Sequence, residues 1–177
     1  MDVNAPIALI GASYRTRDAA LDDFGSVWAA RRDGDFHHTA VVVLTRDRDG
    51  RLHVDRHNST AKHLEWGGAL LSAALVVLAP AAGLEMLATV GVSGAGAMVG
   101  HFREHADPAD LSAMAGLLDA GTSALVVVVV NRHGQSLTPL LGQADARASV
   151  DMPWGDLEEE LSADFAHPSL GRALVAV

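Results

Sequence analysis

Apolar residues follow strand-like patterns in the first third of the chain. The short apolar run 5–12 contains Gly11 near its end and predicts a buried strand. The β-branched run 36–46 predicts a second strand, and Asp-Arg-Asp-Gly at 47–50 predicts a hairpin turn, because Asp-Gly tolerates positive φ angles. The alternation over 51–57 predicts a half-buried third strand. Its apolar side carries Leu52 and Val54, and its polar side carries Arg51, His53, Asp55 and His57.

Capping residues and helical spacing predict two helices. Thr16 and Asp18 begin the first helix, apolar residues recur at helical spacing over 21–28, and Gly34 ends it. Asp107-Pro108 begins the second helix, with aspartate as N-cap and proline at the first helical position. Five consecutive valines within the run 122–131 then predict a central, buried strand.

The order of these elements predicts the fold class. Without residues 60–105 the order is β-α-β-β-α-β, the split βαβ or ferredoxin-like plan. A short helix near Thr138-Pro139, a strand over 146–152 and an acidic helix over 153–166 add a C-terminal αβα extension. We therefore predict an α+β, ferredoxin-like fold in a single domain over 1–177. The segment 60–105 is inserted between the third strand and the second helix.

Segment 60–105 contains two uncharged runs, 66–82 and 86–100, which are separated by a break near Pro80 and Gly83. This pattern predicts an apolar αα-hairpin. Small residues recur at every fourth position, as in a glycine zipper, where a second backbone approaches closely. Each glycine inside a helix costs about 1 kcal/mol relative to alanine, so close packing is the expected compensation. The predicted packing or oligomer-interface residues are Trp66, Gly67, Gly68, Ser72, Gly91, Ser93, Gly96 and Gly100.

Three environments suit this hairpin: an interface between copies of the chain, a lipid bilayer, or the core of its own chain. The first uncharged run is at the lower limit of the roughly 17–25 residues that a membrane span needs. The second run is rich in glycine, serine and threonine, and Glu85 precedes it. Burial between copies avoids placing that run in lipid, so we favour a homo-oligomer and keep the membrane as the alternative.

Composition narrows the possible functions. The chain has no cysteine, which excludes disulfides, thiolate metal sites and a cysteine nucleophile. Its net charge of −9 and its 5% aromatic content argue against a nucleic-acid partner. No basic stretch precedes the first apolar run, so a signal peptide is not predicted and the expected location is the cytoplasm. The alternative is a membrane-associated protein that faces the cytoplasm.

Histidines are the candidate metal ligands. His101-Phe-Arg-Glu-His105 matches the order of inverted zinc peptidases, and two histidines four residues apart share a helix face. The simpler interpretation is a polar collar at the end of an apolar helix. Two interpretations are also open for His53 and His57 on the polar side of the third strand: a surface metal site or solvated side chains. We predict no bound metal, no cofactor and no catalytic residue.

The chain also resembles a known family. Thr60-Ala-Lys62 followed by Trp66-Gly-Gly68, the glycine-rich apolar run and then Gly121-Thr-Ser-Ala-Leu125 are similar to the bacterial family labelled domain of unknown function 1269. The resemblance covers about 7–165. Many members of that family are described as membrane proteins, and the resemblance implies the layout of the chain and no activity.

Taken together, these patterns predict a non-enzymatic, homo-oligomeric structural or scaffold protein that assembles through the hairpin. The first alternative is a membrane-associated accessory protein with the hairpin in the bilayer. The second is a ferredoxin-like domain that binds a small ligand or a metal on its sheet.

Overall fold

The structure, a computed structural model, describes residues 6–32, 37–49, 51–59, 100, 104–117, 122–130 and 136–153. The strands are β1 (Pro6–Tyr14), β2 (His37–Arg46), β3 (Leu52–Ser59), β4 (Ser123–Val130) and β5 (Ala146–Pro153). The helices are α1 (Arg17–Arg32) and α2 (Pro108–Gly116), and a short 3₁₀ helix spans Thr138–Leu140. The predicted hairpin, except for Gly100 and residues 104–105, lies outside this range. So does the predicted C-terminal helix, except for Pro153, which is the last residue of β5.

The five strands form one antiparallel sheet in the order β3-β2-β4-β1-β5. The valine-rich strand β4 lies at its centre and is buried along its whole length, as its sequence predicts. The α+β class and the order of the described elements are confirmed. The ferredoxin-like strand order is not confirmed: that plan places β1 beside the third strand, whereas here β1 lies between β4 and β5 and β3 is an edge strand.

Helix α1 covers one side of the sheet, called here the α1 face. Alternate residues of β1, β2 and β4 point to this face and pack against the apolar side of α1. The helix begins as predicted, because the hydroxyl of Thr16 accepts a hydrogen bond from Ala19 N at 3.3 Å. The buried core of this face is Ala8, Ala12, Tyr14, Ala20, Phe24, Val27, Ala30, Val41, Val43, Leu125, Val127, Val129, Leu137 and Leu141.

Helix α2 lies on the opposite side, called the α2 face. Its N-cap is the predicted one, since Asp107 accepts a hydrogen bond from Ala109 N at 2.8 Å and Pro108 follows it. The helix approaches β1 most closely at Gly11. A Cβ atom added there would lie 2.9 Å from Leu117 Cδ1 and 3.1 Å from Met114 Cε. The absence of a side chain at Gly11 therefore determines how near α2 docks to the sheet.

We expect Gly11→Val to lower the free energy of unfolding by about 1–3 kcal/mol, because its methyl groups would displace Leu117 and Met114. Denaturation in urea measures this change. Gly142→Val is the control, since a Cβ added there has nothing within 4 Å, and its effect should stay within about 0.5 kcal/mol. Equal effects of the two variants would show that α2 does not pack against β1 at this position.

Strand β3 departs from the predicted alternation. Val43 lies opposite Arg56 and Leu44 lies opposite Val54, so Asp55 is an extra residue, a β-bulge. Before the bulge His53 is opposite Thr45 on the α1 face, and after it His57 is opposite Val42 on the α2 face. The prediction that His53 and His57 share a face is therefore wrong. Val54 is 41% exposed, so the predicted burial of this side chain is also wrong.

Candidate functional site

A row of polar side chains crosses the α1 face at the end of the sheet where α1 begins. The strand register places Ser123 opposite both Tyr14 and Thr45, and Thr45 opposite His53. Directly opposite residues in antiparallel strands share a face, so these four side chains form one line over four strands. We call Tyr14, Ser123, Thr45 and His53 the polar row.

Asp55 joins the middle of the polar row to helix α1. Thr45 Oγ1 donates a hydrogen bond to Asp55 Oδ2 at 2.5 Å, and Arg17 Nε donates to Asp55 Oδ1 at 2.8 Å. The oxygen atoms of Thr45 and Ser123 are 3.0 Å apart. Because Thr45 uses its proton for Asp55, Ser123 donates to Thr45, and the chain of hydrogen bonds runs from Ser123 to the carboxylate.

Burial makes this network a strong local connection. The side chain of Asp55 is 15% exposed, whereas that of Arg17 is 55% exposed. The negative charge of this partly buried carboxylate is compensated by the hydrogen bonds that it accepts from a hydroxyl and from a guanidinium. The network therefore ties together α1, the bulge in β3, β2 and the first residue of β4.

A second network at the β1 end of the polar row contains Tyr14 and Asp23. Tyr14 Oη donates to Asp23 Oδ2 at 3.1 Å, and Gln143 N donates to the same oxygen at 3.0 Å. Burial raises the pKa of the Tyr14 phenol, and the negative charge of Asp23 raises it further. The phenol is consequently a hydrogen-bond donor to Asp23 and does not act as a base near neutral pH.

Arg15 and Asp145 form an outer pair beside the second network. Arg15 Nε lies 3.1 Å from Asp145 Oδ1, and Arg15 N donates to Asp145 Oδ2 at 2.9 Å. The side chain of Arg15 is 88% exposed, so this ion pair contributes little to stability. Arg147 donates to the carbonyl oxygen of Leu141, which holds the turn before β5.

The β2–β3 turn provides the hydrogen-bond partner of His53. Asp47 Oδ1 accepts hydrogen bonds from Asp49 N and Arg51 N, both at 2.9 Å, and Asp47 Oδ2 lies 3.1 Å from His53 Nε2. The hydrogen bond with His53 lowers the pKa of Asp47 most, followed by the one from Arg51 N. His53 therefore has a defined partner in the turn, and His57 lies on the opposite face of the sheet.

The predicted metal and packing residues are only partly described. His105 is exposed just before α2, and His101 lies outside the described residues. No group of three metal-ligating side chains occurs within the described ranges. Among the predicted interface residues Gly100 is described: it is helical and exposed, and a Cβ added to it would meet no atom of the described residues within 4 Å. The remaining ones, Trp66, Gly67, Gly68, Ser72, Gly91, Ser93 and Gly96, lie outside the described part of the chain.

Sequence reasoning did not identify Tyr14, Arg17, Thr45 or Ser123 as members of a common cluster. Thr45 and Ser123 are polar residues at the ends of strongly apolar strands, and this position is the feature of the sequence that could have indicated them. Their meeting depends on β4 pairing with both β2 and β1, and no local pattern specifies that pairing.

The chain matches no family model, no curated protein and no solved structure. The resemblance to the domain of unknown function 1269 family stays a prediction. Among the described helices, none has the length and apolar character needed to cross a membrane.

Proposed function

We propose that this chain is a non-enzymatic structural protein whose copies assemble through segment 60–105. The observation that carries the proposal is the environment of Gly100. It is a helical glycine, which costs about 1 kcal/mol relative to alanine, and no atom of the described residues lies within 4 Å of a Cβ added to it. Packing against the described part of the chain therefore does not require glycine at this position, whereas close contact with a second copy would require it.

The position of the segment in the fold supports this proposal. The chain enters the segment from the edge strand β3 and leaves it at α2, which packs against β1 at Gly11. The described pairings among the five strands join residues outside 60–99. The sheet domain would then serve as a folded base, and the segment would serve as the part that contacts other copies.

The polar networks support a structural role for the α1 face. The carboxylate of Asp55 is bound by Thr45 and Arg17, and that of Asp23 by Tyr14 and Gln143 N. Each of these contacts joins different secondary-structure elements. Their chemistry therefore serves to hold α1, the strands and the turn before β5 in place.

The test compares two glycines by the mass of the detergent-free particle. Gly100→Leu should lower that mass, because overpacking a close contact costs about 1–3 kcal/mol at every copy of the interface. Gly25→Leu is the matched control: it is also helical and exposed, and a Cβ there also meets nothing within 4 Å. Light scattering on both purified variants and on the unchanged protein measures the masses.

Four results would contradict the proposal. A monomeric unchanged protein would exclude assembly, and an unchanged mass for Gly100→Leu would exclude this contact. Recovery in a membrane fraction that resists alkaline carbonate would favour the membrane-associated alternative. Equal loss of mass in Gly25→Leu would show that the effect is not specific to the segment.

A further inference from the structure

Strand β5 is an edge strand of the described sheet, and it is regular along its whole length. It pairs with β1 over all 8 of its residues without a shift in register. The other edge strand, β3, is interrupted by the bulge at Asp55. A bulge is one of the devices that keep an edge from pairing with another chain, whereas a regular edge presents a row of N–H and C=O groups to an incoming strand. Of the two edges, β5 is therefore the one suited to strand addition.

The side chains of β5 divide between a charged face and an apolar face. The register with β1 places Arg147, Ser149 and Asp151 on the α1 face, and all three are exposed. Val150 and Met152 lie on the opposite face and are buried on the side of the sheet where α2 packs. A strand added to this edge would therefore meet a charged row on one face and an apolar row on the other.

The charges of β5 are complementary to themselves under two-fold symmetry. If two copies of β5 pair antiparallel about an axis through Ser149, Arg147 of one copy lies directly opposite Asp151 of the second copy, and the same pair recurs on the other side of the axis. On the apolar face Ala148 lies opposite Val150, so a small side chain meets a larger one. Both faces of the added strand are then matched by the edge that it joins.

The neighbouring registers lack this complementarity. Opposite residues in antiparallel strands share a face, so a two-fold axis perpendicular to the sheet passes through a residue and not between two residues. An axis through Ala148 would place Asp145 opposite Asp151 of the second copy, which brings like charges together. An axis through Val150 would place Asp151 opposite Ser149 and would form no ion pair. The axis through Ser149 is thus the one of these three central registers that joins opposite charges.

The exposed surface of helix α2 is compatible with this pairing. The helix packs against β5 and β1, so it lies near the same edge of the sheet. Its exposed residues include Ala109, Ser112, Ala113 and Gly116, which are small, and Asp110 is the one charged residue of the helix. Small residues allow two helix backbones to come close. The α2 helices of two copies therefore have room to lie beside each other above the joined strands.

We propose that β5 is a self-association edge, at which two copies pair antiparallel about Ser149 and join their sheets into one continuous sheet. The ion pairs between Arg147 and Asp151 of opposite copies set the register. Arg147 also donates to the carbonyl oxygen of Leu141, and a guanidinium carries five N–H donors, so donors remain for the carboxylate. This contact uses no residue of segment 60–105 and does not rest on the proposed function. Together with a contact through that segment, it would link copies into a larger assembly.

Disulfide trapping tests the pairing, because the chain contains no cysteine of its own. Directly opposite residues in antiparallel strands have Cα atoms about 4.5–5.5 Å apart, within the range that a disulfide spans. Ser149→Cys should therefore link two copies under mild oxidation, measured as covalent dimer on a non-reducing gel. Ser26→Cys is the control, since it is also an exposed serine but lies on α1, and it should give about tenfold less dimer.

Charge reversal in the Ser149→Cys background tests the register. Asp151→Arg would place like charges opposite each other and should lower the dimer yield about tenfold, and Arg147→Asp should lower it as well. An equal mixture of these two variants should restore the yield, because opposite charges face each other again in the mixed pair. Arg48→Asp changes the net charge as Arg147→Asp does, but it lies in the β2–β3 turn and should leave the yield unchanged.

A dimer yield for Ser149→Cys no higher than that for Ser26→Cys would overturn the proposal. An unchanged yield in Asp151→Arg would also overturn it, and so would a mixture that gives no more dimer than either folded variant alone. If Arg147→Asp does not fold, which circular dichroism reports, Asp151→Arg alone decides. Adding Gly100→Leu to Ser149→Cys should leave the disulfide in place, so a failure of the contact through segment 60–105 is distinguishable from a failure of this one.

Discussion

Asp23→Ala is expected to lower the free energy of unfolding by about 2–4 kcal/mol. Asp23 is 4% exposed and accepts hydrogen bonds from Tyr14 Oη at 3.1 Å and from Gln143 N at 3.0 Å. Alanine would leave the buried phenol of Tyr14 without its acceptor and would remove the acceptor of Gln143 N. A buried donor without a partner loses its hydration and gains nothing in return. Urea denaturation followed by circular dichroism measures the change.

Asp22→Ala is the matched control for this prediction. Asp22 is the neighbouring carboxylate on α1, it is exposed, and it accepts a side-chain hydrogen bond from Gln143 Nε2 at 3.2 Å. Its removal should change the free energy of unfolding by no more than about 0.5 kcal/mol. If both variants lowered the free energy of unfolding equally, the burial of Asp23 would not be the cause of the loss of stability.

Stability should fall steeply in alkaline solution because of Tyr14. The ordinary pKa of tyrosine is 10.0, and burial together with Asp23 raises the pKa of Tyr14 in the folded chain. Above pH 10 the unfolded chain loses this proton while the folded chain keeps it. The unfolded state then binds fewer protons, so the free energy of unfolding decreases with pH, by up to about 1.4 kcal/mol per pH unit. Below pH 10 the contribution is fully present.

The single tyrosine of the chain allows a direct test. Ultraviolet absorbance of the phenolate should not appear in the folded protein at pH 10, and should appear when the protein unfolds. Tyr14→Phe should be less stable at neutral pH, because Asp23 loses a donor, but its stability should depend less on pH above 10. Phenolate absorbance in the folded state with a midpoint at the ordinary pKa would contradict the prediction.

The local patterns of the sequence were sufficient to predict most of the described helices and strands. The valines at 126–130 predicted a buried central strand, and β4 is that strand. Thr16 and Asp107 predicted the starts of α1 and α2, and both side chains make the capping hydrogen bonds. These features depend on neighbours in the sequence, so the information needed to predict them is local.

The bulge and the strand order could not be obtained in this way. The predicted alternation over 51–57 is interrupted at Asp55, an extra residue that is bound by Arg17 and Thr45 of other elements. The position of β4 between β2 and β1 likewise depends on pairing across the whole chain. The same dependence explains why the two polar networks were not predicted, since one joins four elements and the other joins two elements and the turn before β5.

The place of β1 in the sheet has a consequence for how the chain folds. β1 is the first described strand to be synthesised, and both of its neighbours, β4 and β5, are the last. The β2–β3 hairpin can pair early, whereas β1 must wait for the end of the chain. Pairings between distant residues slow folding, because the entropy of closing a long loop is lost before the contacts form. During synthesis the apolar residues of β1 therefore remain without strand partners until almost all of the described chain is available.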